Sequence, residues 1–290
     1  MAAPDAQGRS ARVIVRPLRR RDRAAAMRRL ADRTREELFL LDLVVALGGP
    51  HAVGDVAPEL LGAWRGETLV GLASVRPTLV LETALEPVVR EALLGPMSEV
   101  GSGLVRCEAR AAAALWARLA ERGRRVLVDR LEEGLVLDPA ALREVAVPAG
   151  LRLRAAEARD LDPLVEAARA SLREEGRPDP FLGDPRGFRR WVAARLDRAH
   201  VGQRDGAVVF VGYADVRLDA GYLLQGVYTW PSSRRQGIGA AGVAALCRAA
   251  FAAGAAHVQL SVVQGNRAAR DLYARLGFRP HATLRTILFV

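Results

Sequence analysis

Residues 234–239 read Arg-Arg-Gln-Gly-Ile-Gly, and this short stretch decides how the C-terminal part of the chain is interpreted. It lies between a predicted strand over 223–229 and a predicted helix over 240–253. The first N–H groups of a helix have no partner within the helix and carry partial positive charge, so they bind anions. Gly237 and Gly239 have no Cβ and let the backbone approach a ligand closely. The stretch therefore predicts a phosphate-binding turn.

Two well-known nucleotide-binding motifs do not fit this turn. The glycines of Gly237-x-Gly239-x-x-Gly242 match a dinucleotide fingerprint, which also needs an acidic residue about 20 positions further on. No Asp or Glu occurs between Gly242 and Val263, the turn lies late in the chain, and an arginine pair precedes it. A P-loop needs a Lys after the glycines, and none is present. Both motifs are rejected.

A second motif follows over residues 257–278, as a predicted strand, a loop and a helix that stops at a glycine. With the R-x-x-G-x-G turn, its pattern N-x-x-A-x-x-L-Y-x-x-x-G-F resembles the GNAT superfamily of acyl-CoA-dependent N-acyltransferases. The matching residues are Arg234, Gly237, Gly239, Asn266, Ala269, Leu272, Tyr273, Gly277 and Phe278. The resemblance covers the last third of the chain and is expected to extend over 151–290. Short matches at 224–227 and 286–289 resemble an uncharacterised branch that carries an N-terminal domain of unknown function.

The resemblance implies acetyl-CoA as the donor and assigns residues to it. Backbone N–H groups would hold the pyrophosphate, arginines would add charge-assisted contacts, and the preceding strand would pair with the pantetheine arm and face the thioester. The last helix would supply an Asn and an Arg. The expected cofactor-binding set is Val227, Tyr228, Thr229, Arg234, Arg235, Gln236, Gly237, Ile238, Gly239, Ala240, Asn266 and Arg270. Alternatively, the turn is structural, the strand pairs in the sheet, and Asn266 only caps its helix.

Two catalytic roles follow. Tyr273 lies seven residues after Asn266, on the same face of the helix, and the resemblance implies that it protonates the departing thiolate. Its alternative role is core packing. Glu174 and Glu175 end the first helix of the C-terminal copy, and adjacent carboxylates can perturb each other's protonation or bind a cationic acceptor. They are the candidates for the general base, with a polar helix end as the alternative. Asp215 is a weaker candidate, because strand alternation could place it in solvent.

The composition is compatible with this ligand. The 290 residues predict two domains, and the formal net charge of +10 favours anionic partners such as coenzyme A. The sequence contains Arg but no Lys, which is typical of a GC-rich genome. The arginines are spread along the chain, so nucleic acid is not an expected partner. The expected acceptor is an amine on a small molecule or peptide.

Other function classes are not supported. Cys107 and Cys247 lie in apolar patterns, which indicates free buried thiols and a cytoplasmic protein. The first dozen residues do not resemble a signal peptide, and the apolar stretch 38–47 is too short to span a bilayer. The four histidines, His51, His200, His257 and His281, are scattered without ligand spacing, so no metal is expected.

The sequence contains an internal repeat, because three segments of the N-terminal half recur in the same order in the C-terminal half. Arg16 and Asp22 correspond to Arg154 and Asp160, and each Asp is expected to cap the helix that follows it. The stretch 70–76 corresponds to 211–217, and the stretch 110–119 to 267–276. Five of seven positions are identical in the second pair and seven of ten in the third. The offsets of 138, 141 and 157 show 157 − 141 = 16 extra residues in the second copy, where the glycine turn lies.

The sequence therefore predicts an α/β fold of two tandem GNAT-like domains, 1–147 and 148–290, each with a mostly antiparallel mixed sheet flanked by helices. The first copy lacks the glycine turn, and it has Ala109 and Trp116 opposite Asn266 and Tyr273. Its glycines at 101 and 103 precede a strand. It is expected to be catalytically inactive, and either to complete the acceptor site or to form a homodimer contact.

Overall fold

The computed structural model describes residues 12–49 and 56–290. The predictions for the first dozen residues and for His51 fall, except for residue 12, outside this part of the chain. The described part of the N-terminal half contains six strands and four helices, in this order: β1 Val13–Pro17, α1 Arg23–Leu30, α2 Leu38–Ala46, β2 Glu59–Arg65, β3 Thr68–Arg76, β4 Val80–Leu81, α3 Pro87–Met97, β5 Gly103–Glu108, α4 Ala109–Glu121 and β6 Val126–Leu137.

The C-terminal half repeats the same order of elements. It comprises β7 Arg152–Ala155, α5 Leu161–Glu174, α6 Pro185–Ala193, β8 Ala199–Arg204, β9 Ala207–Leu218, β10 Gly221–Thr229, α7 Ile238–Ala252, β11 Val258–Val263, α8 Arg267–Leu276 and β12 Arg279–Phe289. The strand, turn and helix predicted around residues 234–239 are thus β10, the turn and α7. The glycine stops of α7 and α8 are confirmed, because Gly254 and Gly277 have φ of +94° and +101°.

The two halves exchange their last strands. A four-stranded sheet has the order β1-β2-β3-β4, and an eight-stranded sheet has the order β5-β12-β6-β11-β10-β9-β8-β7. The fifth strand of each half, β5 or β11, therefore pairs with the sixth strand of the other half, β12 or β6. The central pair, β6 and β12, is antiparallel over most of its length. The predicted boundary at 147/148 stays a prediction, since the large sheet contains strands from both sides of it.

The exchanged strands β6 and β12 also contribute to the hydrophobic cores. Ile287 and Phe289 of β12 lie in the core of the N-terminal half. Leu135 and Leu137 of β6 lie in the core of the C-terminal half, with residues of α7 and α8. Each core is therefore completed by the other half, and the predicted fold class is confirmed with a shared sheet that the repeat did not reveal. Within the described residues, no helix is long and apolar enough to cross a membrane.

The repeat is visible in side-chain geometry. Arg16 donates to both carboxylate oxygens of Asp22 at 2.9 and 3.0 Å, and Arg154 does the same to Asp160 at 2.6 and 2.9 Å. The expectation that each Asp caps the helix after it is wrong. Each carboxylate instead accepts the backbone N–H three residues before it, at 2.9 Å for Asp22 and 2.8 Å for Asp160. The arginine draws the carboxylate back toward the strand, away from the helix.

These pairs predict an acid-sensitive contribution to stability. The hydrogen bonds from Arg16 lower the pKa of Asp22 from 3.8 to about 2. A lowered carboxyl pKa stabilises the fold fully above the unfolded value of 3.8 and loses that contribution as the pH falls through 2. Asp22→Asn is expected to reduce the free energy of unfolding by about 2 kcal/mol at neutral pH. Urea unfolding at neutral and acidic pH checks this.

Asp160→Asn is the matched variant, because Arg154 also lowers the pKa of Asp160. Both variants are expected to lose stability at neutral pH and to approach the parent protein in acid. Equal stability of Asp22→Asn and the parent at neutral pH would contradict the interpretation.

Candidate active site

The candidate site lies where two parallel strands separate. β10 and β11 pair only at Tyr222 with Val258 and at Leu223 with Gln259. Beyond this point β11 continues along β6, and β10 continues along β9. The edge of β10 that faces β11 is therefore open from residue 224 to its end. An open strand edge can bind an extended chain through its backbone groups.

A bulge changes the direction of β10 within this opening. Gln225 pairs with Tyr213, and Tyr228 with Val211, so residues 226 and 227 together oppose one residue of β9. Gly226 has φ of +56°, and a Cβ there would lie 2.9 Å from the Tyr213 ring. Only glycine fits this position without rearrangement. The bulge places the backbone of Val227 at the open edge.

The glycine turn follows β10 and has the geometry of an anion site. Arg235 and Gly237 both have positive φ, +61° and +78°. Among the described residues, the N–H groups of Arg235, Gln236 and Gly237 donate no backbone hydrogen bond outside the regular elements. Gly237 is the N-cap of α7, a helix of 15 residues. The successive N–H groups and the helix N-terminus fit a pyrophosphate.

The three glycines of this region have different roles. A Cβ on Gly239 would lie 3.2 Å from Leu272 of α8 and from Thr229 at the end of β10. The turn, the strand end and the last helix therefore meet at Gly239. A Cβ on Gly242 would overlap the Phe210 ring. Gly242 thus serves helix–sheet packing, which agrees with the rejection of the dinucleotide fingerprint.

Arg234 is directed away from the open turn. Its Nε donates to the carbonyl of Thr229 at 2.9 Å, and its NH2 lies 2.8 and 2.7 Å from the two carboxylate oxygens of Glu174. The phenol of Tyr228 donates to the same carboxylate at 2.9 Å. Burial, followed by this bond to Glu174, raises the pKa of Tyr228. These contacts fasten the end of α5 to the end of β10 and to the turn.

Glu174 and Glu175 have separate partners. Glu175 accepts from Arg130 of β6 at 2.7 Å and from the Ser171 hydroxyl at 3.2 Å. The two carboxylates do not act as a pair, because Glu174 is bound by Arg234 and Glu175 by Arg130. The structure therefore places Glu174 at the strand end and Glu175 at the contact between the halves.

A buried polar network reaches the bulge from both halves. Asp215 is 6% exposed, so the expectation that it faces solvent is wrong. It is bound by Arg195 at 2.5 and 3.1 Å. With its amide oriented to satisfy both neighbours, Gln225 donates to Asp215 at 2.7 Å and accepts from Arg106 of β5. Arg106, Arg195 and Gln225 were not among the residues predicted for the site. For Arg106, a charged residue inside the apolar strand β5 was the available signal.

The last helix carries the remaining predicted residues. Asn266 caps α8 by accepting the N–H of Ala269 at 3.1 Å, so its capping role is present in the structure. Arg270 is exposed one turn further along. Tyr273 is 8% exposed and packs edge-on against Phe278 at 5.6 Å between ring centroids. Burial raises the pKa of the Tyr273 phenol, which keeps it protonated at neutral pH.

In the described residues of the N-terminal half, neither of the two corresponding helix starts is an anion site. Helix α3 begins with Pro87 after Glu86, whose carboxylate is paired with Arg65 at 2.5 Å. The residue before α4 is Glu108, which accepts the N–H groups of Arg110 and Ala111 at 2.9 and 3.1 Å. The sequence alignment set Ala109 opposite Asn266, but the structural counterpart of Asn266 is Glu108. Carboxylates occupy both helix starts, and they repel phosphate.

Comparison with known proteins agrees with this geometry. The model of the acetyltransferase (GNAT) family matches residues 162–278, which include all but the first residue of α5, the helices α6 to α8 and the whole glycine turn. No curated protein matches the chain. Residues 162–278 belong to the GNAT acetyltransferase family, and the family together with the fold supports an acyltransferase.

Solved structures share the whole fold. A Drosophila protein from a structural genomics consortium superimposes with a TM-score of 0.72 at 14% identity, over 95% of this chain and 98% of that one. A GCN5-related N-acetyltransferase from Sphaerobacter thermophilus gives 0.60 at 17% identity, over 95% and 94%. A tandem GNAT protein from the clavulanic acid biosynthesis pathway gives 0.57 at 16% identity, over 96% and 97%. These similarities extend the tandem architecture to both halves of the chain.

Proposed function

We propose that the C-terminal half transfers an acetyl group from acetyl-CoA to a primary amine of a small molecule or peptide, by direct attack of the amine. The observation that carries this proposal is the glycine turn at the start of α7, whose free N–H groups lie beside the open edge of β10. A phosphate-binding turn next to an unpaired strand edge suits a long ligand with a pyrophosphate at one end and an extended arm. Membership of residues 162–278 in the family supports the same ligand.

Each element of the site has a role in this proposal. The N–H groups of residues 235–240 hold the pyrophosphate, with Arg235 as an exposed cation beside them. The backbone of β10 at Val227 binds the arm, and an N–H at the bulge polarises the acyl carbonyl. Acetyl-CoA supplies the activated acyl group. Tyr273 donates a proton to the departing sulfur, and no covalent enzyme intermediate is needed.

The ion pair of Arg234 with Glu174 gives that arginine a positioning role. It holds the end of β10 against α5 and so fixes the direction in which the turn leaves the strand. Glu174 is the better placed of the two base candidates, since it contacts Tyr228 beside the bulge. Glu174→Gln is the corresponding test, with the pH dependence of kcat as the readout.

A glycine substitution tests the turn. Gly237→Ala places a Cβ on a residue with φ of +78°, which costs about 1–2 kcal/mol unless the turn rearranges. We expect the affinity for acetyl-CoA to fall by about tenfold or more. Isothermal titration measures this loss.

The control is Gly123→Ala in the turn between α4 and β6, where φ is +78° and a Cβ meets nothing within 4 Å. This variant introduces the same kind of backbone strain outside the glycine turn at 234–239. It is expected to leave the affinity for acetyl-CoA unchanged. Equal affinities of the two variants would contradict the assignment of the turn.

Two alternative functions also involve binding of an acyl-CoA, but they differ in what happens to the acyl group. The donor could carry a different acyl group, or the protein could be an acyl-CoA-binding regulator without turnover. A panel of acyl donors and amines, followed by release of free CoA thiol, separates them. Binding without thiol release from any pair would support the regulator.

A further inference from the structure

A large cavity lies between the two halves, apart from the glycine turn. Its volume is about 610 Å³, within the range of small-molecule sites. The start of α2, the ends of β4 and β5, and the faces of β11 and β12 form its walls. Leu79 and Val105 form the last bridge between the β4 and β5 segments, which then separate as β10 and β11 do. The cavity therefore fills the opening in the N-terminal half that corresponds to the open strand edge.

The cavity wall contains a buried carboxyl group that has no ion-pair partner among the described residues. Glu37 is 2% exposed. Its Oε1 accepts the N–H of Thr83 at 2.7 Å and the Thr83 hydroxyl at 2.5 Å. Its Oε2 forms no hydrogen bond with the described residues, and no arginine among them lies within ion-pair distance of it. Burial is the main cause that raises the pKa of Glu37 to about 7. A buried carboxylate without a cation is destabilising, and a bound cation would remove that cost.

The two arginines that line the cavity below its rim, Arg35 and Arg106, already have anionic or polar partners. Arg35 lies 2.5 Å from Asp138. Arg106 donates to Ser261 at 3.0 Å and lies 3.9 Å from Glu132. Arg110 is exposed at the rim. Burial lowers the pKa of His281, which keeps that imidazole neutral at neutral pH. The unmatched buried charge in the cavity is therefore negative, and it favours a cationic ligand over an anion.

The rest of the wall is largely apolar. Several leucines and a phenylalanine from both halves line it: Leu38, Phe39, Leu81, Leu223, Leu260 and Leu284. This wall suits a compact hydrocarbon or aromatic body, while the carboxyl group suits one ammonium group.

We propose that this cavity is a second ligand site, which binds a primary amine with a compact apolar body through an ion pair to Glu37. The thioester cleft is a separate site, and binding in the cavity requires no coenzyme A. Both halves form the walls, so the ligand also stabilises their contact.

The test uses the full chain and 2-phenylethylamine, measured by isothermal titration at a pH where the amine is charged. Its neutral and anionic analogues, 2-phenylethanol and 3-phenylpropanoate, match it in size. We expect the amine to bind at least about tenfold more tightly than either analogue. Absence of amine binding, or equal binding of the alcohol, would overturn the proposal.

Substitutions test whether Glu37 is the group that binds the amine. Glu37→Gln keeps an acceptor for Thr83 and is expected to weaken amine binding by about tenfold or more. Glu121→Gln, an exposed residue of α4 outside the cavity wall, is the control and is expected to bind normally. If Glu37→Gln does not fold, Leu284→Trp decides, because the indole would fill the cavity and abolish binding. Unchanged amine binding in a folded Glu37→Gln or Leu284→Trp variant would contradict the proposal. Amine binding is measured without coenzyme A, so its outcome is independent of any loss of acetyl-CoA binding in Gly237→Ala.

Discussion

Tyr273→Phe is expected to lower kcat by about 100-fold or more, because it removes one proton donor from the site. The phenylalanine ring keeps the edge-on contact with Phe278, so the fold should be unaffected. Binding of acetyl-CoA should change little, since the turn and the β10 edge are intact. The rate of CoA thiol release with the best acceptor of an amine panel gives kcat, and isothermal titration gives the affinity.

Trp116→Phe is the matched control in the N-terminal half. Trp116 packs edge-on against Phe289 at 6.2 Å between ring centroids, as Tyr273 packs against Phe278. Its substitution changes aromatic packing without removing a phenol, and kcat should remain near that of the parent. Unchanged kcat in Tyr273→Phe would show that this tyrosine is a core aromatic and that another group supplies the proton.

Gly277→Val is expected to cause the largest loss of stability. Gly277 ends α8 with φ of +101°, and a Cβ there would overlap the carbonyl oxygen of Ala141. The segment after β6 lies against this helix end, where Arg143 donates its N–H to the carbonyl of Leu276 at 3.1 Å. Left-handed strain and overpacking together amount to about 2–5 kcal/mol. Urea unfolding measures the loss.

Gly254→Ala separates the two causes. Gly254 has φ of +94° at the end of α7, and a Cβ there meets nothing within 4 Å. This variant carries the backbone strain alone, so it should lose about 1–2 kcal/mol. A loss in Gly277→Val no larger than that in Gly254→Ala would contradict the close packing of α8 on the segment that connects the halves.

The local elements of the site were predictable from the sequence. The strand before residue 234, the helix after residue 237 and the glycine stops follow from hydrophobic periodicity and from glycine's access to positive φ. The repeat also predicted the Arg16–Asp22 and Arg154–Asp160 pairs as corresponding features, and the structure shows them with the same two-pronged geometry. These features depend on residues close together in the chain.

Features that depend on distant residues could not be predicted. The exchange of β6 and β12 joins strands about 150 positions apart, and each half alone has a plausible sheet. The ion pair of Arg234 with Glu174 spans 60 positions, and it redirects a side chain expected at the phosphate. Glu175 meets Arg130 only because of the exchanged strand. Sequence patterns specify which residues are polar, while the tertiary fold decides which of them meet.

Crystal structure determination with bound acetyl-CoA tests the central claim most directly, which is that the C-terminal half alone holds the cofactor through its glycine turn. We expect one molecule per chain, with the pyrophosphate within hydrogen-bonding distance of N–H groups in residues 235–240 and the arm along the open edge of β10. A molecule bound in the cavity of the N-terminal half, with the turn at 234–239 free of ligand, would contradict it.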